Sequence, residues 1–242
     1  MKKRLLAVFA HPDDEAFGPG GTLTKSAAEG VEIHLLCATR GEGGQLHKEI
    51  TETGKDVKIH HLRERELLKS AGILGIKKVE FLDFLDGHLC NANYHDLAGK
   101  IISKIRSFKP HVILTTDRTG VSGHLDHIAV SMVTTFSYLK TTEANKLYYY
   151  CLSKKQRRPE GDDYFVYFPE GYSEDQITTR IDYQKFFEAK TAAMFQHKSQ
   201  LSDVTAIHSF IKNKPKIENF ILQYYRNIKV RFPETNLFGG IE

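Results

Sequence analysis

His11, Asp13, Asp14 and Glu15 stand almost side by side in the segment HPDDE. Neighbouring carboxylates repel unless a cation or a proton intervenes. Neutral imidazole and carboxylate are good zinc ligands, and a second carboxylate nearby can stay free as a base. Taken alone, HPDDE reads equally as a polar loop whose Asp caps a helix. A second cluster, GHLDH, gathers His124, Asp126 and His127. If a helix starts there, the two histidines at i and i+3 share a face. Together the clusters offer nitrogen and oxygen ligands and an open position, the arrangement of catalytic zinc, whereas structural zinc closes its shell with four ligands, usually cysteines. The matching chemistry is metal-assisted hydrolysis, in which a bound water has its pKa lowered toward about 7 and a carboxylate takes its proton.

The elements that must position these residues follow from hydrophobic periodicity. Short β-rich apolar runs alternate with helix-length amphipathic stretches, which predicts an α/β fold with a Rossmann-like, mostly parallel sheet and helices on both faces. Strands are expected at 3–10, 31–38, 78–84, 111–116 and 146–152, with helices near 21–29, 57–74, 94–108 and 125–140. Gly75 should end the second helix. HPDDE then follows the first strand and GHLDH the fourth, and ligands in such sheets bind beyond the carboxyl ends of the strands. Gly18, Gly20 and Gly21 permit a tight path into the first helix. The tail predicts a polar insertion near 154–180, helices near 181–198 and 216–224, and a final strand IKVRF. We read 1–242 as one domain, with a core over about 1–152 and a C-terminal cap region, 153–242, that sets specificity.

Composition excludes several classes. The chain of 242 residues is 40% hydrophobic and 26% charged, has a formal charge of +4, and shows no apolar run of membrane-span length. The apolar run Leu5–Ala10 behind the basic N-terminus is too short for a secretory signal, and a buried strand explains it better. Cys37, Cys90 and Cys151 are widely spaced, against a disulfide framework or a thiolate zinc site, so the expected compartment is the cytoplasm. Basic residues are dispersed apart from Lys154, Lys155, Arg157 and Arg158, read as a solvated loop, and no nucleic-acid motif is present. FAHPDDEAFGPGG is no G-x-G-x-x-G turn and puts carboxylates where phosphates would sit, against a nucleotide-binding protein.

The residues AHPDDEAFGPGG (10–21), TRGEGG (39–44), RERELLKSAGILGI (63–76), DFLDG (83–87), TGVSGHLDHIAV (119–130), KTAAMFQHKSQ (190–200) and FPETNLFGGI (232–241) run nearly end to end. With them the chain resembles the LmbE-like (PIG-L) family of zinc-dependent N-acetylglucosaminyl deacetylases. The resemblance implies that His11, Asp14 and His127 bind Zn²⁺ or another divalent metal. It makes Asp13 the general base and His124 the group that stabilises the oxyanion. Arg63 and Asp86 match positions that contact the sugar. It implies as substrate a small amino-sugar conjugate that loses its acetyl group.

Asp126 is expected to orient His124 or His127 through a hydrogen bond, Glu42 to line the rim near Arg40 or Arg63, and His197 to cap or pack beside the site. The remaining histidines are expected on the surface or in the core. Leu125 replaces a proline common in the family, and Ser122 stands where some members have a tyrosine. Alternatives are an amidase for another sugar or a thiol conjugate, and a non-catalytic sugar-binding protein. The exact conjugate and any homo-oligomer are left open.

Overall fold

The LLAVFA run forms the central strand of the sheet. In the computed structural model, which describes residues 2–47, 58–157 and 169–242, Leu5 through Phe9 of β1 (Arg4–Phe9) are at most 1% exposed. Such an uninterrupted buried run requires cover on both faces of the sheet. Leu5, Ala7 and Phe9 join one core layer, which takes in Leu23 from α1 (Gly20–Ala28) and Leu67, Ala71 and Leu74 from α2 (Ile59–Leu74). Leu6, Val8 and Ala10 join the opposite layer with Leu97 and Ile101 of α3 (Tyr94–Phe108) and Val130 and Val133 of α4 (Leu125–Leu139). The fold is therefore the expected Rossmann-like α/β class.

β1, β2 (Glu32–Thr39), β3 (Lys78–Phe84), β4 (Val112–Thr116) and β5 (Lys146–Cys151) are parallel. Their order is β3-β2-β1-β4-β5. From β1 the chain winds outward through β2 and β3, whereas β4 lies on the other side of β1, so the order reverses between β1 and β4. The helix ends agree closely with the periodicity. Gly75, in the left-handed conformation, ends α2 and returns its N–H to the carbonyls of the last turn.

The tail departs from expectation. Residues expected as a helix at 216–224 form β7 (Ile217–Tyr225), antiparallel to β5, with β6 (Thr179–Asp182) beyond it at the sheet edge. The helix expected at 181–198 reduces to a 3₁₀ turn at Gln184–Phe186 and α5 (Phe187–Met194), and α6 (Leu201–Ile211) was not foreseen. IKVRF is not a strand. The 153–242 region thus extends the sheet as well as covering it. Arg158, and residues 158–168 of the polar insertion, lie outside the described residues. Among the described residues, no helix is long and apolar enough to cross a membrane.

Glu234 explains the closing FPETNLFGGI segment. It is buried, and its carboxylate accepts from the wholly buried Lys146 Nζ and from Tyr148 Oη, each at 2.5 Å. Its backbone pairs with Thr178 and Arg180. Removing one partner of a buried ion pair leaves an uncompensated charge. Glu234→Ala is expected to destabilise the fold by about 3–5 kcal/mol, read as a lower urea midpoint.

Candidate active site

The reversal between β1 and β4 opens a crevice at the carboxyl ends of the strands, and both polar clusters stand at it. His11–Glu15 leave β1 and enter a single helical turn, Asp14–Phe17. After β4 the chain passes through another such turn, Gly120–Gly123, to His124. His124 caps α4, its Nδ1 accepting the Asp126 N–H at 3.1 Å, and α4 then carries His127 into the crevice.

His11 Nδ1 lies 3.0 Å from His127 Nε2, which lies 3.2 Å from Asp14 Oδ1. The other atoms of these groups are already engaged. His127 Nδ1 donates to the Gly120 carbonyl at 3.0 Å, which leaves a lone pair on Nε2. His11 Nε2 lies 2.8 Å from Asp86 Oδ1 and 3.4 Å from Asp126 Oδ2, so its proton belongs there and Nδ1 carries a lone pair. Asp14 Oδ2 accepts the Ala10 and His11 N–H groups, leaving Oδ1 for the crevice. Lone pairs of His11 Nδ1 and Asp14 Oδ1 therefore each face the lone pair of His127 Nε2, an arrangement that repels itself without a cation or a proton between them. These two separations, 3.0 and 3.2 Å, approach the roughly 3.3–3.5 Å between ligands bound tetrahedrally at zinc distances. With only a proton available, burial lowers the basicity of His11, but the carboxylates of Asp126, Asp86 and Asp14 outweigh it and lift its pKa to about 10. Burial opposes ionisation of Asp14, yet His127 and His11 hold it well below the usual carboxylate range.

Asp13 has a different environment. Burial pushes its carboxyl up to about 6, although Arg63 pulls the other way. Arg63 Nη2 donates to Asp13 Oδ2 at 2.7 Å and to the Pro12 carbonyl at 2.7 Å, and its Nη1 donates to the Gly41 carbonyl. A Cβ at Gly41 or Gly44 would lie 2.5 or 2.4 Å from this guanidinium, which explains two of the three glycines of TRGEGG. The Asp13 backbone has φ 130°, a conformation that costs a non-glycine residue about 1–3 kcal/mol. Its N–H donates to Glu15 Oε2.

His124 packs against both other rings, with centroids 4.8 Å from His11 and 5.0 Å from His127. Burial, then the charges of His11 and His127, lower its pKa to about 4, so it is neutral. With Nδ1 accepting from Asp126, its proton lies on Nε2. Among the described residues, the mutually close donor groups that could hold a metal are His11, His124 and His127, and His11, Asp86 and Asp126; Asp14 falls in neither. In the second group one atom, His11 Nε2, would have to abandon its hydrogen-bonding role, and in the first His124 would have to give up its Nε2 proton. The set of His11, Asp14 and His127 requires neither.

Other expected residues have partners inside the protein. Arg63 is 4% exposed. Asp86, its pKa held at about 2 by His11 against the effect of burial, also accepts the Gly43 N–H. Both therefore buttress site residues in this structure. The Asp126 carboxylate reaches His11, its backbone N–H donates to His124 Nδ1, and its oxygens take the Gly87 and Leu89 N–H groups. Glu42 accepts the Asp86 N–H, whereas Arg40 pairs with Glu64 and Asp83. His197 is wholly buried and bonds Glu15. Arg157, read in sequence as part of a solvated loop, donates to the Val121 carbonyl beside Gly120. Glu15, Ser70 and the Gly120 carbonyl were given no role from sequence, although Glu15 lies within HPDDE.

The nucleotide alternative fails on geometry. At the start of α1, where a dinucleotide fold binds phosphate, the N–H groups of Gly21 and Thr22 donate to Glu218, which Lys190 neutralises at 2.7 Å. The helix terminus carries its own internal anion.

The PIG-L family model, GlcNAc-PI de-N-acetylase, matches residues 6–137, more than half of the chain. A Nocardioides 1D-myo-inositol 2-acetamido-2-deoxy-alpha-D-glucopyranoside deacetylase is 29% identical, the alignment covering 99% of each chain. A mycothiol S-conjugate amidase of Streptomyces coelicolor is 27% identical over 98% of this chain and 97% of its own. The fold is shared with GalB, the 4-carboxy-2-hydroxymuconate hydratase of Pseudomonas putida, at a TM-score of 0.66 and 19% identity over 95% and 99% of the two chains. A hydratase on the same scaffold means that the bond broken has to be argued from the site itself.

Proposed function

The chain belongs to the PIG-L family, and from that premise we propose that it is a metal-dependent N-deacetylase. Its substrate is an N-acetylglucosamine-type conjugate, and Zn²⁺ is its metal. The observation that carries this reading is the division of labour between adjacent aspartates. Asp14 is turned into the converging donors of His11 and His127, while Asp13 is held apart by Arg63. His11, Asp14 and His127 would hold a divalent cation, which would supply Lewis acidity and lower the pKa of a water toward neutrality.

The remaining steps belong to the chain's own residues. Asp13 takes the proton of the attacking water as the water adds to the acetyl carbonyl carbon. Neutral His124, with its proton on Nε2, donates to the oxygen on which negative charge develops, an interaction worth about 3–4 kcal/mol per well-placed donor. Protonated Asp13 then gives its proton to the departing nitrogen as the carbon–nitrogen bond breaks. The products are acetate and a free amino sugar.

Asp126 and Asp86 fix the tautomer of His11 from behind. Asp126→Asn is expected to weaken metal affinity by about 10–100-fold, measured by competition with a chromogenic chelator, with smaller loss of turnover at saturating metal. An unchanged affinity would remove Asp126 from the support of the site.

Free-amine release from a panel of N-acetylglucosamine conjugates, with zinc-loaded protein, tests the function. Cleavage of acetylated amino sugars supports the proposal. Cleavage confined to thiol-conjugate amides moves it to the amidase reading that the Streptomyces relative raises. Absence of amine from every member counts against both, and sugar binding without turnover would favour a non-catalytic binding protein.

A further inference from the structure

We infer that Glu15 is a positioning residue for the general base: clamped by Ser70 and His197, its carboxylate holds the Asp13 main chain in the turn that aims the Asp13 side chain at Arg63 and the crevice. The inference rests on Asp13 being the base.

Glu15, Ser70 and His197 are at most 1% exposed, and nothing about the proposed chemistry uses them directly. A buried carboxylate is costly unless its oxygens are satisfied. Here both oxygens are occupied within the protein. Oε1 accepts from Ser70 Oγ at 2.5 Å and pairs with His197 Nε2 at 2.8 Å, and Oε2 accepts the Asp13 N–H at 3.0 Å. Three distant parts of the chain meet here: the turn after β1, the middle of α2, and the loop after α5. This convergence accounts for Ser70 in RERELLKSAGILGI and His197 in KTAAMFQHKSQ, neither of which touches the donor set.

The geometry of Asp13 indicates what the clamp does. With φ at 130°, the Asp13 N–H turns inward to Glu15 while its carboxylate turns to Arg63. An Asp relaxes from this conformation when nothing opposes it. Arg63 holds the Asp13 carboxylate and the Pro12 carbonyl, and the Asp13 carbonyl accepts the Ala16 and Phe17 N–H groups, so Glu15 is the restraint on the Asp13 N–H. An ordinary helix-capping role would require the same N–H bond but no buried Ser and His behind the carboxylate.

The test is steady-state amine release by zinc-loaded protein carrying Glu15→Ala, Glu15→Gln or Ser70→Ala, each made in the wild-type and Asp13→Asn backgrounds. Misplacing a reacting group by about 1 Å costs on the order of 100-fold. Glu15→Ala is expected to lower kcat by about 10–100-fold, with KM and metal content unchanged. Glu15→Gln, which keeps an oxygen for the Asp13 N–H, should recover most of that loss, and Ser70→Ala should lose several-fold. In the Asp13→Asn background all three should add nothing, because a residue that acts only through the base has nothing left to position. Equal losses in both backgrounds overturn the inference, as does a loss that appears in KM or metal content. If Glu15→Ala does not fold, Glu15→Gln and Ser70→Ala provide the same comparison. Full activity in Asp13→Asn alone removes the base assignment. An inactive Asp13→Asn with a fully active Glu15→Ala removes only the positioning role.

Discussion

Asp13→Asn is expected to lower kcat about a thousandfold while leaving metal content and KM within a few-fold. General acid–base catalysis contributes about 10²–10⁴, and Asn preserves the shape and an acceptor for Arg63 while being unable to take a proton. Asp14, two imidazoles and their supporting carboxylates are untouched, so the donor set should fill as before. The loss of charge beside the buried Arg63 has a separate signature. Arg63 keeps its bonds to the Pro12 and Gly41 carbonyls, but its partner becomes neutral, so the melting temperature should fall. That fall is independent of substrate, whereas the kcat loss is not restored by cooling the assay below the transition. Retained turnover with full metal occupancy would mean that another group takes the proton. Glu15 is a poor substitute, since both its oxygens are engaged and it is 1% exposed.

How much of this was readable from sequence depends on distance along the chain. β1 was legible because Leu5 through Ala10 are all apolar, and only a strand covered on both faces buries such a run. The segment IENFILQYY misled because Ile217, Phe220, Ile221 and Tyr224 fall at helical spacing. In the structure its polar residues have inward tasks. Glu218, which caps α1, shares the buried alternate positions with Phe220 and Leu222, and Asn219, bonded to Gln156, is buried between them, so polar residues mask the strand period. The same contrast holds at the site. His11, Asp13, Asp14, His124 and His127 were visible because each cluster is local and follows a strand. The partners of His11 were not, because Asp86 and Asp126 reach its ring only once β3 has paired with β2 and α4 has packed against β1. The resemblance gave Arg63 as a sugar contact, and nothing in RERELL reveals the two backbone carbonyls onto which α2 turns it.

The second large effect concerns the converging lone pairs. His11→Ala, or exhaustive chelation of the wild type, is expected to abolish turnover by at least on the order of 10³, since a catalytic metal contributes several kcal/mol and each 1.36 kcal/mol is tenfold. The two treatments should differ in a way that turnover does not report. In chelated wild type, His11, Asp14 and His127 remain, and their facing donors must share protons to coexist. Zn²⁺ added back binds the folded state and should raise the melting temperature with its concentration, as linkage requires. In His11→Ala the set has lost one of its two nitrogens, and Asp86 and Asp126 are left facing a space without the imidazole they oriented. Added Zn²⁺ should then produce little rise at concentrations that saturate the wild type. A wild-type melting temperature indifferent to Zn²⁺ would show that the three donors do not form its binding site, whatever the activity assay returned. An equal rise in His11→Ala would move the metal to another set, and His124 with His127 would be the first to examine.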